Sequence, residues 1–266
     1  MLMVLIAVPC LRAASPIISD ILPRSAVAGG AQVAHTGVYV PWGNPAAAAF
    51  DTAVVLQVGY ENRYFAPELS DEYCSATIPT PYFNISVSYN FFGLAAYHEM
   101  MAAFSVSRKW GIVALGVEVD YFNYYDASAA RYHHAVSAQV GVDVAVSSQV
   151  MLGFRAFNPT FSQIKQHGVV RSLPTIFDVG VSYRPQRQLV AMATIGYVPS
   201  VGVRWAVGAE YTMLDAVVAK VGASGADYVV PMLGAGVVVG SWRFDLAAEA
   251  DFRVGISLMS NFQYRF

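Results

Sequence analysis

The chain ends in a stretch whose side chains alternate, Gly255-Ile256-Ser257-Leu258-Met259-Ser260-Asn261-Phe262-Gln263-Tyr264-Arg265-Phe266. Apolar and aromatic residues fill most even positions, polar residues fill most odd positions, and only Met259 and Ser260 break the pattern. Because successive side chains of a β-strand point to opposite faces, the stretch predicts a strand with one apolar face and one polar face.

The composition indicates that this alternation runs through the whole chain. Hydrophobic residues make up 56% of the 266 residues, charged residues make up 13%, and the mean hydropathy is +0.44. Beyond the N-terminus the chain has no apolar run of about 18 residues, the length that a spanning helix needs. Since only helices and closed barrels satisfy the backbone in lipid, we predict an all-β fold, a transmembrane antiparallel β-barrel.

Thirteen segments carry a strand pattern, and single-chain bacterial barrels have even strand numbers. If the chain ends on the periplasmic side, the short turns fall there and the long connection 158–174 falls outside. This scheme fails only at 61–80, so we predict a fourteenth strand near 71–78, with twelve strands as the alternative. The thirteen segments are 52–60, 81–91, 97–107, 110–125, 131–146, 149–157, 175–184, 187–197, 201–213, 215–223, 228–239, 242–252 and 255–266.

The first fifty residues do not alternate and divide into two parts. Residues 1–15 have a short apolar region followed by small residues and predict a signal peptide. A lipoprotein signal at Cys10 is a weaker alternative, because Pro9 occupies a position where a small residue is expected. Residues 16–50 are rich in small residues and turns, which predicts a plug or hatch segment inside a barrel formed by residues 51–266.

The predicted inward faces carry charges of both signs. Glu118 and Asp120 lie about 7 Å apart along one strand and could bind a cation or act as an acid/base pair. We favour a lumenal charge network, because a buried charge must be paired or is very costly. The predicted network comprises Glu118, Asp120, Arg155, Arg204, Glu210, Lys220, Arg243, Asp245 and Glu249.

Catalytic and cofactor motifs are missing from the sequence. Ser137 and His133 share a predicted face, but four residues of strand separate them by about 13 Å, too far for a hydrogen bond. Without its signal peptide the chain keeps one cysteine, Cys74, which excludes an internal disulfide and a cysteine-rich zinc site. We therefore predict no enzyme activity, no cofactor and no metal site, and the net charge of −2 gives no case for nucleic acid.

A strand that ends at an aromatic residue is typical of bacterial outer-membrane barrels. We therefore predict that Phe262, Tyr264 and Phe266 form a signal read by the barrel-assembly machinery, and that the protein lies in the lipid bilayer of the bacterial outer membrane.

Short motifs also resemble a known family. The segments Gly29-Gly30-Ala31 and Asn44-Pro45-Ala46, the stretch 208–211 and the terminal strand resemble the PorV/PorQ group of Bacteroidetes outer-membrane proteins, itself similar to FadL-type transporters of hydrophobic compounds. The resemblance implies a fourteen-stranded barrel with a hatch.

Two functions are compatible with these observations. The first is passage of a small or hydrophobic compound across the outer membrane. The alternative, implied by the resemblance, is a barrel partner or assembly component of a type IX secretion-like machine.

Overall fold

The structure is a computed structural model that describes residues 30–35, 43–127, 131–166, 169–199 and 201–266. Within these residues, fourteen antiparallel strands close into one barrel, as the sequence predicted. Each barrel strand pairs with the next one along the chain, except that β7 pairs with β10, and β1 pairs with β16 to close the barrel. The barrel strands are β1 (Val55–Asn62), β2 (Ser70–Pro79), β3 (Asn84–Leu94), β4 (Tyr97–Trp110), β5 (Val113–Asp126), β6 (Arg131–Ala145), β7 (Val150–Phe157), β10 (Ile176–Gln186), β11 (Leu189–Val198), β12 (Gly202–Met213), β13 (Val217–Gly225), β14 (Val229–Val239), β15 (Trp242–Asp251) and β16 (Gly255–Arg265).

The strand inferred from parity is present. β2 runs from Ser70 to Pro79 and pairs with β1 and β3, so the prediction near 71–78 is confirmed and the twelve-strand alternative is wrong. The long connection between β7 and β10, predicted over 158–174, contains strands that the sequence analysis did not predict. It contains a separate hairpin of β8 (Gln163–Gln166) and β9 (Val169–Ser172), whose four-residue strands are too short to show a reliable alternation.

The barrel distributes polar and apolar residues between its outer and inner faces in the opposite way to a soluble protein. On β5 the apolar residues Val117 and Val119 are 53% and 51% exposed. The acids between and beside them, Glu118 and Asp120, are 1% and 0% exposed. The outer surface is therefore apolar and the interior is polar, which is the arrangement expected of a barrel surrounded by lipid.

One part of the interior is apolar instead. Phe122 and Tyr124 of β5 and Phe157 of β7 point inward and are at most 1% exposed. Ile164 of the β8–β9 hairpin packs with them in one buried cluster. The connection between β7 and β10 therefore folds back over this side of the barrel rather than extending away from it.

Short 3₁₀ helices that lie wholly within the described residues are Pro45–Phe50 and Pro67–Leu69. The first begins after Asn44, whose side-chain oxygen accepts a hydrogen bond from the N–H of Ala46, and it packs against β4, β5 and β6 from within. No helix in the described ranges is long and apolar enough to cross a membrane.

Candidate functional site

The candidate site is the barrel interior where the N-terminal segment meets the wall. Of the predicted segment 16–50, residues 30–35 and 43–50 are described, whereas 16–29 and 36–42, with Gly29, lie outside the described residues. Gly30 has a positive φ of 71°, and Ala31 is 1% exposed and packs with Met192 and Ala206. Asn44, Pro45 and Ala46 are all buried. Both described parts of the segment therefore lie against the lumenal wall.

Two paired glycines receive the Asn44–Pro45 turn. Gly116 of β5 and Gly141 of β6 are direct partners in the sheet. A β-carbon on Gly116 would collide with the backbone of Pro45, and one on Gly141 would collide with the side chain of Asn44. The wall is therefore shaped to the turn, since glycine permits this close approach.

A second pair of glycines extends this contact to the neighbouring strands. Gly153 of β7 and Gly180 of β10 are also direct partners. A β-carbon on Gly153 would collide with the carbonyl oxygen of Val33, and one on Gly180 would lie 2.9 Å from the Val33 side chain. We call these four glycines, Gly116, Gly141, Gly153 and Gly180, the glycine seat.

Asn44 joins the two described parts of the segment to the wall. Its Nδ2 donates to the carbonyl oxygen of Val33 at 2.8 Å and to Oδ1 of Asp143 on β6 at 2.8 Å. Asp143 is 0% exposed, and its Oδ2 has no hydrogen-bond partner among the described residues. Nearby, Nε2 of Gln139 donates to the carbonyl oxygen of Gly43 at 2.8 Å. These bonds stabilise the segment on its seat, and Asp143 depends on Asn44 for its hydrogen bond.

A second attachment lies at one rim of the barrel. Nδ2 of Asn84 donates to the carbonyl oxygens of Ala48 and Asp51 at 2.7 and 2.8 Å. Nη2 of Arg265 lies 2.6 Å from Oδ1 of Asp51. Burial nevertheless raises the pKa of the Asp51 carboxyl to about 6, because the loss of hydration outweighs the attraction of Arg265.

Four residues of the predicted charge network meet in one ion-pair cluster. Lys220 Nζ lies 2.8 Å from Asp245 Oδ1 and 3.6 Å from Glu210 Oε1. Arg243 bonds the same two acids, at 2.8 Å to Asp245 and 3.4 Å to Glu210. His35 of the N-terminal segment lies 3.7 Å from Glu210, so this cluster also contacts the segment.

The other two arginines of the predicted network meet at an acid that the sequence prediction omitted. Arg155 Nε donates to Asp178 Oδ2 at 2.9 Å, and Arg204 Nη2 donates to both carboxylate oxygens at 2.8 and 2.9 Å. Arg204 reaches across β11, where a β-carbon on Gly196 would lie 2.7 Å from Arg204 Nε. Asp178 lies at an inward position of the strand predicted over 175–184, so the alternation of that strand could have identified it as a lumenal acid.

The three remaining acids of the predicted network lie elsewhere on the wall. Glu118 accepts from Nε2 of Gln139 at 3.1 Å, and Glu249 accepts from Ser224 at 3.4 Å. Asp120 accepts from Ser137 Oγ at 3.0 Å, so Ser137 bonds an acid rather than a histidine. The structure therefore places the nine predicted residues at several separate points of one lumen.

A third ion-pair cluster was not predicted. Arg63 Nε lies 3.1 Å from Glu61 Oε1, and Arg63 Nη2 lies 3.4 Å from Asp71 Oδ2, with all three side chains at most 3% exposed. Arg63 follows β1 in an irregular turn, where alternation could not assign its direction. Within the described ranges, no group of three or more His, Cys, Asp or Glu residues is placed to hold a metal ion.

A cavity of about 500 Å³ occupies the part of the lumen bounded by β7 and by β10 to β16. Gly30, Gln32 and Val33 of the N-terminal segment form one boundary. Residues of the connecting turns at the opposite end, including Val201 and Tyr228, form another. The walls between them carry apolar and charged side chains, Ile176, Val198, Val230, Met232 and Met259 together with Arg155, Asp178, Arg204 and Glu249.

The predicted C-terminal signal residues lie on the outer face. Phe262 and Phe266 are 39% and 66% exposed. The rings of Trp242 and Tyr264 lie 4.1 Å apart, and those of Tyr264 and Phe266 lie 4.7 Å apart. The N–H of Phe266 donates to the carbonyl oxygen of Val54, so the chain end pairs with the residue before β1.

No protein-family model and no curated protein matches the chain. Solved structures show the fold. The Pseudomonas putida toluene transporter TodX matches with a TM-score of 0.67 and 10% identity, covering 90% of this chain and 95% of TodX. A Pseudomonas aeruginosa FadL homologue matches with a TM-score of 0.64 and 11% identity, covering 91% and 97%. A mutant TodX, named a monoaromatic hydrocarbon channel, matches with a TM-score of 0.72 and 10% identity, covering 91% and 98%.

Proposed function

We propose that this chain is a bacterial outer-membrane β-barrel that passes a small hydrophobic compound, with residues 16–50 acting as a hatch. The observation that carries the proposal is the cavity of about 500 Å³ inside an apolar-faced barrel, bounded by Gly30, Gln32 and Val33 of the N-terminal segment. A ligand in this cavity would have to displace that segment to leave through the other end of the barrel.

Loop lengths set the proposed orientation. The long connection between β7 and β10, with its hairpin, belongs outside the cell, because outer-membrane barrels have long extracellular loops and short periplasmic turns. Counting strands from there puts Val54 and Phe266 at the periplasmic rim and the turn containing Tyr228 on the extracellular side. The cavity then lies between the extracellular turns and the hatch, where an incoming compound would bind first.

The similar solved structures favour transport over the secretion role. Two of those reported above are named as a toluene transporter and a monoaromatic hydrocarbon channel. No contact in the described residues favours a secretion machine, and the PorV/PorQ resemblance stands on sequence motifs alone. The proposal therefore assigns the chain a transport role and no catalytic one.

Two neighbouring residues on opposite faces of β14 allow a sharp test. Val230 is 9% exposed and lines the cavity, whereas Val229 is 52% exposed on the outer face. Val230→Trp should narrow the cavity with a bulky ring and lower the uptake of labelled monoaromatic hydrocarbon by cells several-fold. Val229→Trp adds the same ring to the outer face and should preserve uptake. Equal uptake by both variants, or uptake by wild-type cells no faster than by cells lacking the protein, would refute the proposal.

A further inference from the structure

Four exposed bases lie at the proposed periplasmic rim. Arg108 and Lys109 come at the end of β4, where the ammonium of Lys109 also lies 4.8 Å from the centre of the Phe50 ring. Arg184 comes near the end of β10, and Arg187 comes in the turn between β10 and β11. In the barrel order β10-β7-β6-β5-β4, the turn between β6 and β7 lies between these two sites, and residues 146–149 of that turn carry no charge. The bases therefore lie along one arc of the rim, which we call the basic arc.

Aromatic side chains accompany the basic arc on the outer face. Arg108 shares the outward face of β4 with Phe104 and Trp110, which are both 50% exposed. The guanidinium carbon of Arg108 lies 5.3 Å from the centre of the Trp110 ring, within the range of a cation–π contact. Tyr183, next to Arg184, is 46% exposed. Rings and bases at the end of an apolar band are typical of a membrane–water boundary.

The charge of this rim is not balanced locally. Among the described residues of the turns at this end, the exposed acid is Asp215, in the turn between β12 and β13 and outside the arc. The opposite end of the barrel is mixed, with exposed acids Glu68, Glu72 and Asp227 and exposed bases Arg131 and Arg253. The positive potential is thus confined to one sector of one rim.

We propose that the basic arc binds the headgroups of anionic phospholipids in the inner leaflet of the membrane. The proposal rests on the membrane placement and orientation given above. A long basic side chain at the edge of an apolar surface extends its charge into the headgroup layer while its stem stays on the apolar surface. Because Arg108 and Trp110 continue the lipid-facing side of β4, lipid fits this position better than a soluble acidic protein does. Each base near an anionic surface contributes about a fivefold gain in affinity.

Lipid retention by the full-length barrel tests the proposal. The protein would be purified in detergent, mixed with equal amounts of phosphatidylglycerol and phosphatidylcholine, and examined by native mass spectrometry for retained lipid. Wild type should retain phosphatidylglycerol preferentially. A variant with Arg108→Gln, Lys109→Gln, Arg184→Gln and Arg187→Gln should lose that preference by at least tenfold.

Two matched variants separate a specific loss from a general one. Replacing Arg131 and Arg253 at the opposite rim by Gln should leave the preference intact, and so should replacing the three arginines of the arc by Lys. Unchanged preference in the quadruple Gln variant, or an equal loss in the opposite-rim control, would overturn the proposal. If the quadruple Gln variant failed to fold, the arginine-to-lysine variant paired with single Gln substitutions would decide the matter. The readout requires no transport, so a failure of hydrocarbon uptake would refute the proposed function without affecting this result.

Discussion

Nδ2 of Asn44 lies 2.8 Å from Oδ1 of Asp143, a bond that links residues 99 positions apart in the chain. It joins the N-terminal segment to the wall at the centre of the glycine seat, since Gly141 precedes Asp143 by two residues on β6 and Gly153 is its partner on β7. The donor lies on the segment and the acceptor on the barrel, so reversing their roles is a direct test of the hatch.

Asn44→Asp should release the segment. The change places two carboxyl groups in contact and removes the only hydrogen bond to the Asp143 side chain found among the described residues, a bond worth about 0.5–1.5 kcal/mol. Ion conductance in planar bilayers should rise well above the wild-type level. The reciprocal variant Asn44→Asp/Asp143→Asn restores one donor and one acceptor and should bring conductance back toward wild type. If the double variant conducts as freely as the single one, this bond does not hold the segment.

Gly141→Val should also displace the segment, through steric conflict. The added carbons would collide with Asn44, and overpacking of this kind costs about 1–3 kcal/mol. Gly59→Val is the matched control, because its β-carbon would meet the Tyr73 ring, away from the segment. Both variants should lower the midpoint of denaturation, but only Gly141→Val should raise conductance. Equal conductance of the two variants would argue against a seat at Gly141.

Val119→Arg should destabilise the barrel in lipid. Val119 lies near the middle of β5 and is 51% exposed on the apolar face, where an arginine at mid-membrane costs roughly 2–4 kcal/mol. Val254→Arg is the control: Val254 is 55% exposed but lies in the connection between β15 and β16. The free energies of unfolding would be compared in vesicles. Equal losses at both sites would mean that Val119 does not face lipid.

Asp51→Asn should change how stability depends on pH. The pKa of Asp51 in the folded barrel is about 6, above the ordinary value of 3.8 for an aspartate, so the folded state binds this proton more tightly than the unfolded state. The contribution of Asp51 is therefore most favourable below pH 4 and is lost as the pH rises through 6, a change of up to about 3 kcal/mol.

Urea denaturation of reconstituted protein at pH 4 and pH 7.5 measures this contribution. The stability difference between the two pH values should be smaller in Asp51→Asn than in wild type, and the variant should be the more stable of the two at pH 7.5. Glu68→Gln, at an exposed acid of the opposite rim, should preserve the wild-type difference. If the stability difference between pH 4 and pH 7.5 were the same in Asp51→Asn as in wild type, a group other than Asp51 would be responsible for it.

Local pattern determined the strands and their faces. Alternation with period two is a property of each segment by itself, so it identified thirteen of the barrel strands and their inward residues, such as Gln139 and Glu118. The requirement for an even number of strands then predicted β2, which has a mixed composition but is needed for the barrel to close. The small-residue character of the segment near Asn44 likewise distinguished it from a strand.

Only the tertiary structure decided which interior residues meet. Asp178 bonds Arg155 on the adjacent strand and Arg204 two strands away, across Gly196, and Gly116, Gly141, Gly153 and Gly180 form one seat on four strands. The two-residue alternation tells which face of the sheet a side chain occupies, but it does not tell the height of that side chain along the barrel axis. Height follows from the register of every strand pair and from the stagger that closes the sheet, and these arise only when all fourteen strands are assembled.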